Sequence, residues 1–557
     1  MDHSTRQAAS RTFLIGLIVT SLIITPFSAD PVNLPKFVAL VVSSIITFGI
    51  ITSKGTFEIL RKSSSIGVIS TLIIFAALLV SINSTTDFAT RIYGVSGRNV
   101  GFITILSLSL TIVNAFWLAN FDLLARCLKA LQIVAIATAF YGVLQVFGID
   151  PVAWDSDFGS VFGFFGNPNF QSAILGLGSL IAVGRLLGCD GKKRQQTFSV
   201  ACLLLMLFSI FLTNSVQGFL LTIIGISIYT FHKIFRRAST WFIRGFYLIL
   251  LIGPTVLILI VARFDVLSSL SNIGSLTPRL TYWGVGLRTW WENPLLGTGL
   301  DSFGTFYRLN RTRDDFDAVF GTVTNSAHNY LIDILSNGGF VLFLPILLVI
   351  MFTFRAIIGL VKESDSVHNG VLIIVAIWVG LFTQSMISPN QIALMLWFYA
   401  MSGFLIGLSS LGKSKSVSPQ VRPKAINGSK QSDLLAPQQV LAVFVSLVMS
   451  LVIALPPFVT SIRYLGALKS GYVQQIYESS RFFPTDVARN VAIVNTLSNN
   501  GFYKEAQELG LKTVREFPNS FEAWRELSNI PNIDKKLKTQ SINKMKAIDP
   551  SNPDVKE

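Results

Sequence analysis

Charge is scarce in this sequence. Only 13% of its 557 residues are Asp, Glu, Lys or Arg, while 51% are hydrophobic, against about a quarter charged in soluble globular proteins. A disordered chain and an ordinary cytosolic enzyme are both excluded. Cysteine is almost absent: Cys127, Cys189 and Cys202 are too few and too badly spaced for a disulfide framework or a zinc site. Histidine is limited to His3, His232, His328 and His368.

Long apolar runs are what the sequence has instead. Thirteen are of a length to cross a hydrocarbon core of about 30 Å, at roughly 12–25, 36–52, 66–83, 101–118, 128–148, 169–187, 198–213, 216–232, 245–262, 339–358, 370–387, 391–410 and 438–456. The first runs into Pro26 and Asp30 without a small-x-small cleavage site and reads as a retained helix. The seventh and eighth are parted only by Asn214 and Ser215, which leaves the count at 12 or 13. The expected fold is all-α: a polytopic membrane domain over 1–411, a linker over 412–437, a last span at 438–456 and a small helical tail over 457–557.

A net charge of +15 would ordinarily suggest a nucleic-acid partner. Its location argues otherwise. With the N-terminus inside, the inner segments hold 22 Lys and Arg against 7 Asp and Glu, and the rest of the chain holds 23 of each. The whole excess is then the positive-inside signal of a multi-pass protein. No nucleic-acid partner is expected. Mid-span ionisable residues are missing apart from Arg185 near an inner end, which removes support for a charge-coupled pump.

Two pieces remain outside, a loop over 263–338 and the tail. In the tail, Phe483-Pro484, Phe517-Pro518 and Asp549-Pro550 recur at spacings of 34 and 32 residues, with Gly501-x-Tyr503-x-x-Ala506 between them. This is a tetratricopeptide-like pattern of about two repeats, too few to stand alone, so the tail should pack on the membrane domain or recruit a protein partner. A generic helical cap is the simpler alternative.

The loop carries Arg263, Arg279, Arg288, Arg308, Arg311 and Arg313, seven acids and no lysine. Arginine without lysine suits bidentate recognition of phosphate or carboxylate. Thr277-Pro278-Arg279 has the form of a helix start, with Leu280, Trp283, Leu287 and Trp290 on one face of an interfacial helix whose N-terminus would cradle an anion beside Arg279. The blander reading of Arg279 is a contact to lipid headgroups or a loop acid. His328 is the single outer histidine, and imidazole is the side chain matched to proton transfer at neutral pH. Asp333, five residues on, is somewhat off its face, and a lone histidine at a span end is also a common interfacial residue. No second outer histidine supports a metal site.

Several of these motifs together resemble the signature region of the O-antigen ligase and O-antigen polymerase superfamily: Arg279-x-x-x-Trp283, Asn293-Pro294-Leu295-Leu296-Gly297-x-Gly299, His328-Asn329-x-Leu331 and Gly338-Gly339-Phe340. Gly163-Phe164-Phe165-Gly166-Asn167-Pro168-Asn169 is similar to that family's Gly-x-x-x-Asn-Pro-Asn element. The resemblance spans roughly 10–410. It implies a metal- and cofactor-independent inverting glycosyltransferase of GT-C type at the outer face of a bacterial cytoplasmic membrane, moving a preassembled glycan from a polyprenyl (undecaprenyl) diphosphate carrier to a glycan, lipid or protein hydroxyl. Arg279 would hold the diphosphate and His328 would serve as base. The family's Ser-Arg-Gly element is replaced by Asn214-Ser215-Val216-Gln217-Gly218, so a second cation would come from Arg263, Arg98 or Arg91. Gln217, Arg98 and Asn169 are further candidate substrate contacts, Asn169 equally a turn-shaping residue. Ligase, polymerase and protein O-oligosaccharyltransferase are not separable on these residues; a glycan or lipid exporter and a non-catalytic scaffold are the alternatives from other classes.

Overall fold

The computed structural model describes residues 3–53, 64–150, 152, 161–187, 193–235, 239–263, 276–362, 369–415 and 437–555. Among them every regular element is helical. The helices are α1 (His3–Leu22), α2 (Asn33–Thr52), α3 (Ser64–Asn83), α4 (Phe88–Tyr93), α5 (Phe102–Leu118), α6 (Phe121–Val146), α7 (Pro168–Leu187), α8 (Lys193–Leu212), α9 (Gln217–Ile234), α10 (Thr240–Arg263) and α11 (Leu276–Glu292). There follow α12 (Phe303–Asn310), α13 (Arg313–Ala318), α14 (Tyr330–Lys362), α15 (Asn369–Ile387), α16 (Ile392–Lys415) and α17 (Pro437–Ser470), then the tail helices α18 (Val473–Ser479), α19 (Val487–Asn499), α20 (Tyr503–Glu516), α21 (Phe521–Asn529) and α22 (Lys535–Ile548).

Each of the thirteen apolar runs falls on a helix, from α1 to α3, α5 to α10 and α14 to α17. Among the described residues nine of them are long and apolar enough to cross a membrane, and the described apolar parts of α5, α9 and α10 are shorter. This is a multi-pass membrane protein. The seventh and eighth runs are separate helices: Asn214, at φ +53°, takes the left-handed conformation that turns the chain between α8 and α9. The connections sort into two groups. Ala29 and Asp30 donate to Ser461, Asn33 to Gly97 and Val95 to Asp301, whereas Arg6 reaches Leu118 and Ala119 and Asn369 reaches Gly184. The first group joins loops expected outside, the second loops expected inside.

One charge inside the bundle was not anticipated. Lys36, in the first turn of α2, is wholly buried, and its Nζ donates to the carbonyls of Thr20, Ser21 and Ile23 at 3.3, 2.7 and 3.1 Å. It closes the C-terminal end of α1, where carbonyls lack intrahelical partners and the dipole favours a cation. Arg185 hydrogen-bonds the side chain of Gln132. Both residues are spent on helix ends and helix packing.

The last span does not stop at Pro457. Helix α17 runs 34 residues, about 51 Å at 1.5 Å per residue, well past a hydrocarbon core of about 30 Å. Its far end puts Ala467 into the core of the tail, with Ile493, Leu497, Leu509, Trp524 and Leu527. The tail, built on the pairs α19–α20 and α21–α22, is thus carried on a continuous helix. The linker from Lys413 to Lys430 lies for the most part outside the described residues.

A third small core sits under the large loop, formed by Tyr282, Val285, Phe303, Tyr307, Val319 and Ala327. Its buried stripe on α11 runs through Tyr282, Val285, Gly286 and Thr289, while Leu287 and Trp291 are exposed. Of the expected Leu280-Trp283-Leu287-Trp290 line, Trp283 is buried beside this stripe, Leu280 and Trp290 are half-buried, and Leu287 is exposed, so the loop's own core shifts part of the expected face.

Candidate active site

The loop that carries His328 is pinned from below. The backbone N–H groups of Phe340 and Val341 donate to Pro294 and Leu295, and those of Thr298 and Gly299 to Ser336 and Asn337. This approach leaves no room for side chains. A Cβ on Gly339, at φ +57°, would stand 2.3 Å from the Leu295 carbonyl, and one on Gly297, at φ +64°, 2.5 Å from Asn337. Gly339 also breaks the helical path of α14. The Asn-Pro-Leu-Leu-Gly-x-Gly and Gly-Gly-Phe motifs are therefore two halves of one backbone clasp.

Above it, Asp333 in the first turn of α14 is buried and accepts from the Ser326 hydroxyl at 2.6 Å and the Ala327 N–H at 2.7 Å. Ser326 Oγ in turn accepts from the His328 N–H at 3.0 Å. His328 is held at φ +55°, a left-handed conformation that costs a residue other than glycine on the order of 1–3 kcal/mol. The ring is fixed as well: Nδ1 lies 3.1 Å from the Ser326 carbonyl oxygen, and Tyr282 packs on it at 5.1 Å between centroids. A carbonyl can only accept, so Nδ1 carries the proton and Nε2 the lone pair. Burial lowers the pKa of this imidazole to about 4, and the neighbouring positive charges of Arg279 and Arg98 act in the same direction. At neutral pH the ring is an uncharged base. Asp333 does not touch it, but orients it through Ser326. Asp333→Asn would turn one of the two acceptors into a donor; turnover should fall roughly tenfold to a hundredfold through misplacement of the ring, with the donor KM unchanged in steady-state assays.

Arg279 and Tyr282 stand one turn apart on α11 and so face the same side. Arg279 Nε donates to the Ile387 carbonyl at 2.8 Å. The C-terminal end of α15 and the residue after it gather two more contacts: Asn329 Nδ2 donates to Met386 O at 3.2 Å, and Gln217 Nε2 to Ser388 Oγ at 2.9 Å. Asn169 joins from the other side, its Oδ1 accepting from Ser215 Oγ at 2.8 Å, while Ser215 Oγ accepts from the Gln217 N–H at 3.4 Å. Arg98 closes the arrangement: Nε lies 3.3 Å from Asp301, Nη2 4.0 Å from Asp333, and Nη1 donates to the Asn325 carbonyl. All five candidates of the sequence belong to one connected group. Sequence reading missed Tyr282, Ser326, Asp301 and the turn at 386–388, although Ser388-Pro389-Asn390 between two apolar runs is a turn signal.

The other loop arginines have different work. Arg288 pairs with Asp315, Arg313 with Asp317 at 3.0 Å, and Arg308 and Arg311 with acids of the tail. Arg91 donates to the Ser81 carbonyl at the end of α3 and to the Asp87 carbonyl at the N-cap of α4. The Arg263 side chain lies outside the described residues. Helix α11 begins at Leu276, so Thr277 is inside its first turn rather than its N-cap. Among the described residues no three His, Cys, Asp or Glu side chains come together as metal ligands.

Residues 201–347 match the family model described as O-Antigen ligase. Over this segment the chain is similar to the O-antigen ligase family. The segment contains Gln217, Arg279, Tyr282, Asp301, His328 and Asp333 of the site, and an O-antigen ligase-like segment implies a glycosyltransferase-type enzyme acting on lipid-linked glycan and an acceptor. No curated protein matches the chain.

Proposed function

We propose that the protein transfers a preassembled glycan from a polyprenyl diphosphate to an acceptor hydroxyl at the outer face of the cytoplasmic membrane. The observation that carries this reading is an uncharged His328, with its proton on Nδ1 and Nε2 ready to accept, near the Arg279 guanidinium. In the reaction the acceptor oxygen bonds to the anomeric carbon as the bond from that carbon to the diphosphate oxygen breaks. The acceptor proton passes to His328 Nε2, and the electron pair leaves with the polyprenyl diphosphate, whose charge Arg279 balances. One displacement inverts the anomeric centre, and none of these steps calls on a metal ion or cofactor. Arg98 and Gln217 act as positioning residues, Arg98 through Asp301 and Asp333, Gln217 through the turn on which Arg279 rests.

Substrate tunes the base. Positive Arg279 helps hold the His328 pKa down; a bound diphosphate reverses the sign of that local field and raises it, so the ring is a stronger base when donor is present. Arg279→Lys keeps the charge but loses the planar fork anchored on Ile387, and is expected to raise the donor KM about tenfold, with Arg279→Ala raising it further. The test is transfer by full-length protein in liposomes, with polyprenyl-diphosphate glycan and acceptor, in the presence and absence of chelator. Absence of transfer by the wild type, or an unchanged donor KM in Arg279→Ala, contradicts the proposal.

A further inference from the structure

A cleft of about 700 Å³ lies between the tail, the large loop and the segment joining α3 to α5, within the range of about 300–1,000 Å³ typical of ligand sites. One wall is a single face of α19, where Ala488, Ala492 and Asn495 follow at helical spacing and are exposed. The opposite wall includes Thr305, Arg308 and Asn325. Asn325 ties this space to the site, because its carbonyl takes the Arg98 guanidinium and His328 follows three residues later.

The chemistry of the walls narrows the occupant. Carboxylates outnumber guanidiniums there, five to two, among short hydroxyl and amide side chains. That balance disfavours a diphosphate or an anionic polymer. Docking of an amphipathic helix would need an apolar groove, yet the large rings Phe517 and Phe521 are buried and Phe521 is covered by Arg308 at 4.4 Å. Strand addition would need a sheet edge, and the described residues include none. Carboxylates held in place, as Glu522 is by Arg308 and Glu526 by Asn495 at 3.0 Å, suit the vicinal hydroxyls of sugars. We propose that this cleft binds a neutral oligosaccharide, the carbohydrate part of either the donor or the acceptor. The assignment rests on the transferase reading of the His328 site.

The test uses full-length enzyme and the lipid-linked glycan and acceptor extracted from the source cells, each also trimmed to a single sugar. Ala492→Trp plugs the cleft from an exposed helix position of the tail, Asn519→Trp plugs it from another wall, and Ala492→Ser is the control. Each tryptophan variant is expected to raise one KM about tenfold, with kcat and all constants for the trimmed substrates within about twofold of wild type. A rise in donor KM assigns the cleft to the donor glycan, and a rise in acceptor KM to the acceptor glycan. Unchanged KM values for both, an equal rise with the trimmed substrates, an affected glycan that is anionic, or an effect confined to a sugar-free polypeptide acceptor overturns the proposal. Lack of any transfer by wild-type enzyme instead overturns the reading of the His328 site.

Discussion

His328→Ala is expected to slow transfer by about 10²–10⁴-fold, the usual contribution of a positioned general base, with donor binding preserved. His328→Gln should be no better, since an amide supplies no basic nitrogen. The pH dependence is more specific. An ordinary histidine base, with a pKa near 6.5, would lose activity just below neutrality. Here burial brings the free-enzyme value to about 4, so kcat/KM should stay level from pH 7 to about 5 and fall only near 4. The direction follows from the sign of the shift: the required form is the neutral one, and lowering the pKa widens the range over which it is populated. The acid limb of kcat, set in the donor complex, should lie above that of kcat/KM, because bound diphosphate offsets the Arg279 charge. Coincident limbs near 6.5 would remove His328 as a buried base.

Asp549→Ala is the second large effect. Asp549 accepts from Arg311 Nε at 2.9 Å and from Arg308 Nη1 at 3.2 Å, and both partners of the Arg311–Asp549 pair are completely buried. Removing one member strands a guanidinium, at about 3–5 kcal/mol, whereas replacing both with apolar residues is often neutral. Thermal unfolding and limited proteolysis should therefore find Asp549→Ala strongly destabilised around the junction of loop and tail, and Arg311→Met with Asp549→Leu close to wild type. The damage should reach the site. Arg311 lies over Tyr307 at 5.9 Å, Tyr307 packs on Tyr282 at 5.8 Å, and Tyr282 packs on His328. Transfer by Asp549→Ala is expected to drop about tenfold, with recovery in the double variant. Equal stability of single variant and wild type would mean that the buried pair does not hold the tail.

This pair also marks where sequence reasoning stops. The apolar runs were legible because a bilayer demands an uninterrupted length of apolar residues, and Asn214-Ser215 between α8 and α9 could be read as a turn once helices on both sides were known. Loop arginines were different. Six in one loop without lysine suggested anion recognition, yet Arg288, Arg308, Arg311 and Arg313 each meet a carboxylate, two of them more than two hundred residues away. Spacing in sequence carries no information about such pairs. Helical spacing puts Asp333 somewhat off the face of His328, and the route that joins them, through the Ser326 hydroxyl and Ala327 amide, depends on a left-handed backbone at His328 that no pattern of residue types announces. Lys36 was passed over since it lies at the edge of a run, and its partners are main-chain carbonyls, which every sequence has everywhere.

Separating binding from chemistry in two variants is the most direct measurement. Equilibrium binding of a polyprenyl-diphosphate glycan and its single-turnover transfer would be recorded for wild type, His328→Ala and Arg279→Ala under one set of conditions. His328→Ala should bind donor within about twofold of wild type and transfer it at least about a hundredfold more slowly, and Arg279→Ala should bind donor about tenfold or more weakly. Wild-type transfer rates in His328→Ala, or undiminished donor binding in Arg279→Ala, would contradict the assignment of base and diphosphate clamp.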